Sequence, residues 1–324
     1  MNPAYADMKI TFTLLSALLL AACGGSERRN FISIGTGSQT GVYYPVGGAI
    51  KQLVEEAHGK PLHVSTKASL GSVQNINDVM NGSVTFGIAQ SDRQFQAYHG
   101  LSNWENDPQT DLRFVFSLHP EVVTLIAADD SGIRQITDLR EKRVNIGSPG
   151  SGHRGNALDI LGTAGIDPDS DLQAESLTVG ECAGMLQDNR IDAYFYTVGH
   201  PNGSITEAST GRRKVRFIPI TGMEALLEES PFYSVARVPV HLYPQAVQDE
   251  EVQSLGMLTT LVTRADTPDE TVYTLVKAVF ENLDRLKAQH PALHGLSPET
   301  MLQGGNAPLH PGAEQYYRET GLLK

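Results

Sequence analysis

At 324 residues the chain is too long for one ordinary core and suits two domains of roughly 150 residues each. Its formal charge of −12 makes it a poor partner for nucleic acid and for anionic membrane surfaces.

Met8 and Lys9 begin a distinct segment: one positive charge, the apolar run 10–20, then Ala21-Ala22-Cys23. That run is far shorter than the ~20 apolar residues that cross a bilayer. A basic start, a short apolar stretch and small residues before a break describe a secretory signal. Leu20-Ala21-Ala22-Cys23 resembles a lipoprotein signal, so residues 1–22 are expected to be cleaved and Cys23 acylated. Met8 is the better start of such a signal, because residues 1–7 add an acidic, tyrosine-bearing preface. The glycine- and charge-rich 23–30 stretch reads as a tether, which places the mature protein in the periplasm on a lipid anchor. Removing Asp7 and Lys9 together leaves the charge at −12. Cys182 is then the only thiol left, without a disulfide partner, and reads as a buried packing residue.

From Phe31 onward short apolar runs alternate with helical periodicity, the pattern of an α/β fold with a largely parallel sheet. Phe31-Ile32-Ser33-Ile34 predicts a strand, and Val46, Ile50, Leu53, Val54 and Ala57 one face of a following helix. His63-Val64-Ser65-Thr66 predicts the next strand; Val73, Ile76, Val79 and Met80 line a helix, and 84–89 is a third strand. A new strand is expected at 122–127, after a break near Glu121, and further strands at 143–147, 192–196 and 216–220. Between them Ala157, Leu158 and Leu161 predict a helix face. Residues 258–263 and one long helix carrying Val272, Leu275, Val276, Val279, Leu283 and Leu286 read as a return to the first half.

Four strand ends run into loops rich in Gly, Ser and Thr: 35–41, 90–92, 147–152 and 197–201. In a parallel α/β sheet such loops and the helix N-termini after them face one crevice. Bare N–H groups and the positive end of the helix dipole bind anions there without a charged side chain. Arg154, just inside a predicted helix start, is a candidate bidentate partner for a carboxylate, and Tyr196 stands at a strand end.

Bond-breaking chemistry has no obvious home. Gly35, Gly37 and Gly41 are spaced one residue too widely for a dinucleotide fingerprint, and no phosphate-loop lysine follows. Pro149 stands where a nucleophile elbow around Ser151 needs glycine. His290 and His294 have helical spacing with Pro291 between them, which disfavours a metal site. Neither a cofactor nor a metal is expected.

The segment Phe31-Ile32-Ser33-Ile34-Gly35-Thr36-Gly37-Ser38-Gln39-Thr40-Gly41-Val42-Tyr43-Tyr44-Pro45 resembles the opening signature of the TAXI family, the solute-binding subunits of one branch of tripartite ATP-independent periplasmic (TRAP) transporters. Gly71-Ser72-Val73-Gln74-Asn75-Ile76, Gly87-Ile88-Ala89-Gln90-Ser91-Asp92, Ile146-Gly147-Ser148-Pro149-Gly150-Ser151-Gly152 and Leu309-His310-Pro311-Gly312-Ala313 follow in the family's order. The resemblance implies a type II periplasmic-binding-protein fold, two α/β lobes closing on a small carboxylate: glutamate, glutamine, or a C4–C6 dicarboxylate such as 2-oxo- or 2-hydroxyglutarate. It implies large and small TRAP membrane subunits, fused or separate, as partners. By position it points to Thr36, Gly37, Tyr43, Ser69, Ser72, Gln90, Ser91, Ser151 and Asn156 as ligand-binding residues. His153, where the family often has Thr, and His200 after Gly199 depart from the pattern, giving this pocket a polarity of its own; His153, Tyr196 and Gly199 join Arg154 as candidate ligand-binding residues.

Lobe I is expected to comprise 31–120 and 236–324, and lobe II 121–235, with hinges near 118–121 and 235–240. An extracytoplasmic enzyme on the same fold and a ligand-binding receptor for a signalling partner are the competing readings.

Overall fold

The computed structural model describes residues 31–57 and 62–324, so the signal, the tether and Cys23 lie outside the described residues. Ten strands form one mixed sheet in the order β2-β1-β3-β10-β4-β7-β5-β6, with β8 added to β4 and β9 to β10. The first half opens with β1 (Phe31–Gly35), α1 (Tyr43–Ala57), β2 (His63–Lys67), α2 (Ser72–Met80), β3 (Phe86–Gln90) and α3 (Ser91–His99). Strands β2, β1 and β3 are parallel, as right-handed β-α-β connections require. The apolar stripe of α1 is buried at Val46, Ile50, Leu53 and Val54, while Ala57 at its end is exposed.

Strand β4 (Leu112–Ala128) then runs 17 residues without interruption. The expected break near Glu121 is absent, because Pro120 sits beside an irregularity of the ladder with β10 and so loses no regular hydrogen bond there. The second half follows: β5 (Arg143–Asn145), α4 (Gly152–Thr163), β6 (Gln173–Glu175), α5 (Val179–Gln187), β7 (Ala193–Val198), α6 (Gly203–Thr210), β8 (Val215–Phe217), α7 (Glu224–Glu229) and β9 (Ser234–Val238). On α4 the buried face is Ala157, Ile160 and Leu161; Leu158 is 38% exposed, one position off the expected stripe.

The chain returns through β10 (Val252–Arg264), whose first half pairs with β9 and whose second half pairs with β3. The return crossing therefore lies in β10 rather than in the 235–240 segment, which belongs to β9 and the turn after it. The expected long helix is broken at Glu281 into α8 (Asp269–Phe280) and α9 (Leu283–Lys287), and α10 (Pro311–Glu319) packs on α8. Tyr317 of α10 is buried and donates its hydroxyl proton to the Val115 carbonyl of β4, which ties the C-terminal helix to the crossing strand.

Behind the crossing, α3 of one half meets α4 of the other through buried polar side chains. The Arg93 guanidinium, wholly buried, donates Nη2 to Asp92 and to Asp159, each at 3.0 Å. The Tyr233 hydroxyl donates to Asp159 at 2.8 Å and accepts from Asn156 at 2.7 Å. Gly155 makes this possible, since a Cβ there would stand 2.0 Å from Arg93 Nη1. Removing one partner of a buried ion pair leaves an uncompensated charge, at a cost of about 3–5 kcal/mol. Arg93→Met should accordingly lower the unfolding free energy by about 3–5 kcal/mol in denaturant titrations; a loss below about 1 kcal/mol would mean that the carboxylates are satisfied without it.

Candidate functional site

A cleft of about 560 Å3, counting the part open to solvent, lies between the halves at the level of the crossing strands. Four helices present their first turns to it. Val42 and Tyr43 open α1, Gly71 and Ser72 open α2, Gly152 and His153 open α4, and Thr178 and Val179 open α5. The first N–H groups of each helix lack intrahelical acceptors, and the helix dipoles add partial positive charge. Among the described residues no lysine or arginine lines the cleft.

Each wall is fixed by hydrogen bonds that hold its backbone. Ser69 donates to the Thr36 carbonyl at 2.9 Å and accepts from Gly71 N–H at 3.0 Å, which shapes the approach to α2. Thr36 is itself buried, with its hydroxyl on the Lys67 carbonyl at 2.7 Å. Ser151 is the N-cap of α4, accepting from Arg154 N–H at 3.3 Å and donating to the Ser148 carbonyl at 2.7 Å. Thr178 and Glu181 form a capping box on α5, with Thr178 N–H on the Glu181 carboxylate at 2.9 Å.

The residues named from sequence divide by this geometry. Gly37, Tyr43, Ser69, Ser72, Gln90, His153 and Tyr196 line the cleft. Thr36, Ser91, Ser151 and Asn156 stand behind the wall and hold it. Ser91 Oγ accepts from Leu258 N–H at 3.3 Å, and Asn156 accepts from Gln90 Nε2 and the Thr197 hydroxyl, both at 2.9 Å. Gly199 packs on His119, where an added Cβ would fall 2.5 Å from the ring, and is not part of the wall. His200, half-buried, is also outside the wall, its ring between the Tyr243 hydroxyl at 2.6 Å and the Thr124 hydroxyl at 3.1 Å.

Arg154 does not reach the cleft. Its Nη1 donates to the Gly147 carbonyl and to Ser176 Oγ, both at 2.9 Å, so its charge holds the 147–151 loop instead of meeting a ligand. His153 does line the cleft, but burial, aided by the Arg154 charge, lowers its pKa to about 4, so it presents a neutral imidazole. Its ring meets Tyr196 edge-on at 5.5 Å. Gln90 is packed against α4 so closely that a Cβ on Gly152 would lie 1.6 Å from its Oε1.

Sequence reasoning missed Glu121, Thr178 and Val179. Thr178-Val179-Gly180-Glu181 carries the capping-box spacing, which could have marked the α5 start. Nothing in the sequence around Glu121 separates it from a solvated glutamate at a strand edge.

Two hydrogen bonds bridge the rim of the cleft. Gln74 N–H of α2 donates to the Gly150 carbonyl across the gap at 2.9 Å, and Asn202 Nδ2 reaches the Thr40 carbonyl at 3.1 Å. Among the described residues no group of three or more His, Cys, Asp or Glu is placed to hold a metal ion. Cys182 lies in the core with its pKa pushed up to about 12 by burial, its sulfur accepting from Asn145 at 3.0 Å, so it offers no thiolate.

A family model described as NMT1-like matches residues 34–321, nearly the whole described chain. The chain belongs to the NMT1-like family. This NMT1-like chain is similar in fold to MatC from Rhodopseudomonas palustris with bound malate, at 16% identity and a TM-score of 0.55, over 83% of this chain and 90% of that one. A protein from Bordetella bronchiseptica RB50 matches at 14% identity and a TM-score of 0.56, over 90% and 98%. The binding-protein component of an ABC phosphonate transporter from Pseudomonas aeruginosa matches at 14% and 0.51, over 81% and 78%. The architecture of the NMT1-like chain is thus the two-lobed α/β fold of periplasmic binding proteins.

Two variants test the assignment of walls. Arg154→Ala loosens the 147–151 loop but removes no ligand contact, so it should weaken the affinity for a small anion by no more than about fivefold. Gly152→Ala, which drives Gln90 out of place, should weaken it at least about tenfold in the same calorimetric titration. A tenfold loss with Arg154→Ala alone would restore the arginine as a ligand contact.

Proposed function

We propose that this protein is an extracytoplasmic solute-binding component of a membrane transport system. It captures a small carboxylate between its lobes and hands it to membrane subunits of the TRAP type. The observation that carries this reading is the meeting of four helix N-termini, two from each lobe, on one cleft free of cationic side chains. An anion placed there takes hydrogen bonds from both lobes at once, so binding favours the closed form. The wall is built from short polar side chains and backbone of both halves, which suits a small acid.

The ligand class is a C4–C6 carboxylate: glutamate, glutamine, or a dicarboxylate such as 2-oxo- or 2-hydroxyglutarate. The TAXI-like segments favour this class and the TRAP partnership, and the malate named for MatC is a ligand of the same size. The phosphonate transporter named for another fold relative keeps an ABC-type partner and a phosphonate anion as the competing assignment, because helix N-termini accept either anion. Ser69 in the wall and Ser151 behind it serve as a loop tie and a helix cap, which supports binding over catalysis. Lobe I is taken as 31–118 with 259–324 and lobe II as 122–256, joined through β4 and β10. Acylation at Cys23 completes the proposal, anchoring the protein to a membrane on its periplasmic side.

Melting of the purified protein with L-glutamate, L-glutamine, 2-oxoglutarate, L-malate and methylphosphonate tests the ligand class. A ligand at 100 times its dissociation constant stabilises by about 2.7 kcal/mol, a shift visible in any thermal scan. We expect a carboxylate to give it. A response to phosphonate alone would reassign the anion, and a response only to sugars or cations would contradict the reading. In the same cells Cys23→Ser should move the protein from the membrane to the soluble fraction; equal retention would remove the anchor.

A further inference from the structure

Glu121 stands in the cleft wall at the centre of β4, 2% exposed, and neither the anion reading nor the fold accounts for it. A glutamate carboxylate at the focus of an anion site opposes the ligand. Its surroundings show no cation to offset it. From α1 the Tyr43 hydroxyl donates to Oε2 at 2.9 Å. On β4 itself His119 Nε2 lies 3.8 Å from Oε1, and burial, with His290 beyond it, lowers the His119 pKa to about 3, so that imidazole is neutral. From α3 Asp92 adds a like charge, already paired with Arg93. From β7 Tyr196 faces it, and Tyr43 and Tyr196 are both pushed above their usual range, first by burial. From β10 the neighbours are Met257, opposite in the ladder, and Thr259, whose hydroxyl lies 3.3 Å from His119.

We infer that Glu121 is the proton-linked donor of this site: as the neutral acid it donates a hydrogen bond to one oxygen of the bound anion, and once ionised it repels that anion. Burial raises its pKa to about 8, with the Asp92 charge adding to the shift, so the empty site already carries the proton near neutral pH. An anion beside it raises that pKa further, because two carboxylates sharing a site cannot both ionise. Binding above pH 8 must then take up a proton, and affinity falls by up to about tenfold per pH unit. None of the histidines or tyrosines facing Glu121 titrates between pH 6.5 and 9, so the slope belongs to this carboxyl.

The inference rests on the small-anion reading, and its test separates the two. L-Malate, L-glutamate and 2-oxoglutarate are each titrated by calorimetry from pH 6.5 to 9 into the wild type and into Glu121→Gln. The amide keeps a donor and cannot ionise. With any probe that binds, the wild type should lose about tenfold in affinity per unit above pH 8, and Glu121→Gln should keep a flat profile with affinity retained. A flat wild-type profile, or the same fall in the variant, overturns the inference. Independently of any ligand or variant, carbon-13 NMR of glutamate-labelled wild type should show one carboxyl titrating near 8; if every carboxyl titrates in the ordinary range near ~4.3, Glu121 is an ordinary acid and the donor role is wrong. Absence of binding by all three probes overturns the carboxylate reading, and the NMR titration decides Glu121 by itself, an ordinary carboxyl overturning the donor role whatever binds.

Discussion

Everything in this molecule is organised by the antiparallel ladder between β4 and β10. The two strands cross between the halves together, with Gly256 opposite Val122 and Leu258 opposite Pro120. Strand β3 pairs antiparallel to β10 on one side, and β7 pairs antiparallel to β4 on the other. The parallel sets that flank them, β1 to β3 and β5 to β7, therefore run in opposite directions, each toward the crossing. Gln90 ends β3 opposite Thr259, and Val198 ends β7 opposite Val122. Both sets point their carboxyl ends, and the helix N-termini that follow, into the same gap. The cleft follows from strand direction, before any side chain is chosen.

Side chains then decide how the gap is held. At its back, Gln90, Asp92 and Arg93 from one half meet Asn156, Asp159 and Tyr233 from the other in a network that buries an arginine completely. A buried ion pair gives little net stability against an apolar substitute, but once present it specifies geometry, because each member left unpaired is costly. At its mouth the contacts are single backbone and amide hydrogen bonds, such as Gln74 N–H to the Gly150 carbonyl, which water can replace at small net cost. A stiff back and a weak rim suit a joint that opens at the front.

Much of this was legible in the chain itself. Apolar runs ending in Gly, Ser and Thr marked the strand ends, since a strand must stop and a helix must start where the backbone turns tightly. Gly37, Ser72 and His153 were placed at the cleft on that ground or through the TAXI-like segments. What was not legible has physical reasons. The run 122–127 reads as the start of a new strand after a break near Glu121, whereas Pro120 sits beside the irregular pairing with β10 and β4 runs through. Arg154 read as a ligand contact because it sits in the first turn of α4, yet its guanidinium turns back onto the Gly147 carbonyl, a choice made by the loop. Glu121 carried no pattern at all. Its surroundings, Tyr43, His119, Asp92 and Tyr196, arrive from two helices and two strands, and burial with the Asp92 charge pushes its pKa up.

The central claim is that a small anion is held by backbone N–H groups from both lobes at once. Its most direct test is a crystal structure of the protein in complex with whichever small molecule raises its melting temperature. The account predicts an anionic oxygen at about 2.7–3.2 Å from first-turn N–H groups of α1 or α2 on one side and of α4 or α5 on the other. A ligand without an anionic group, or one whose charge is met by a lysine or arginine side chain outside this cleft, would contradict it.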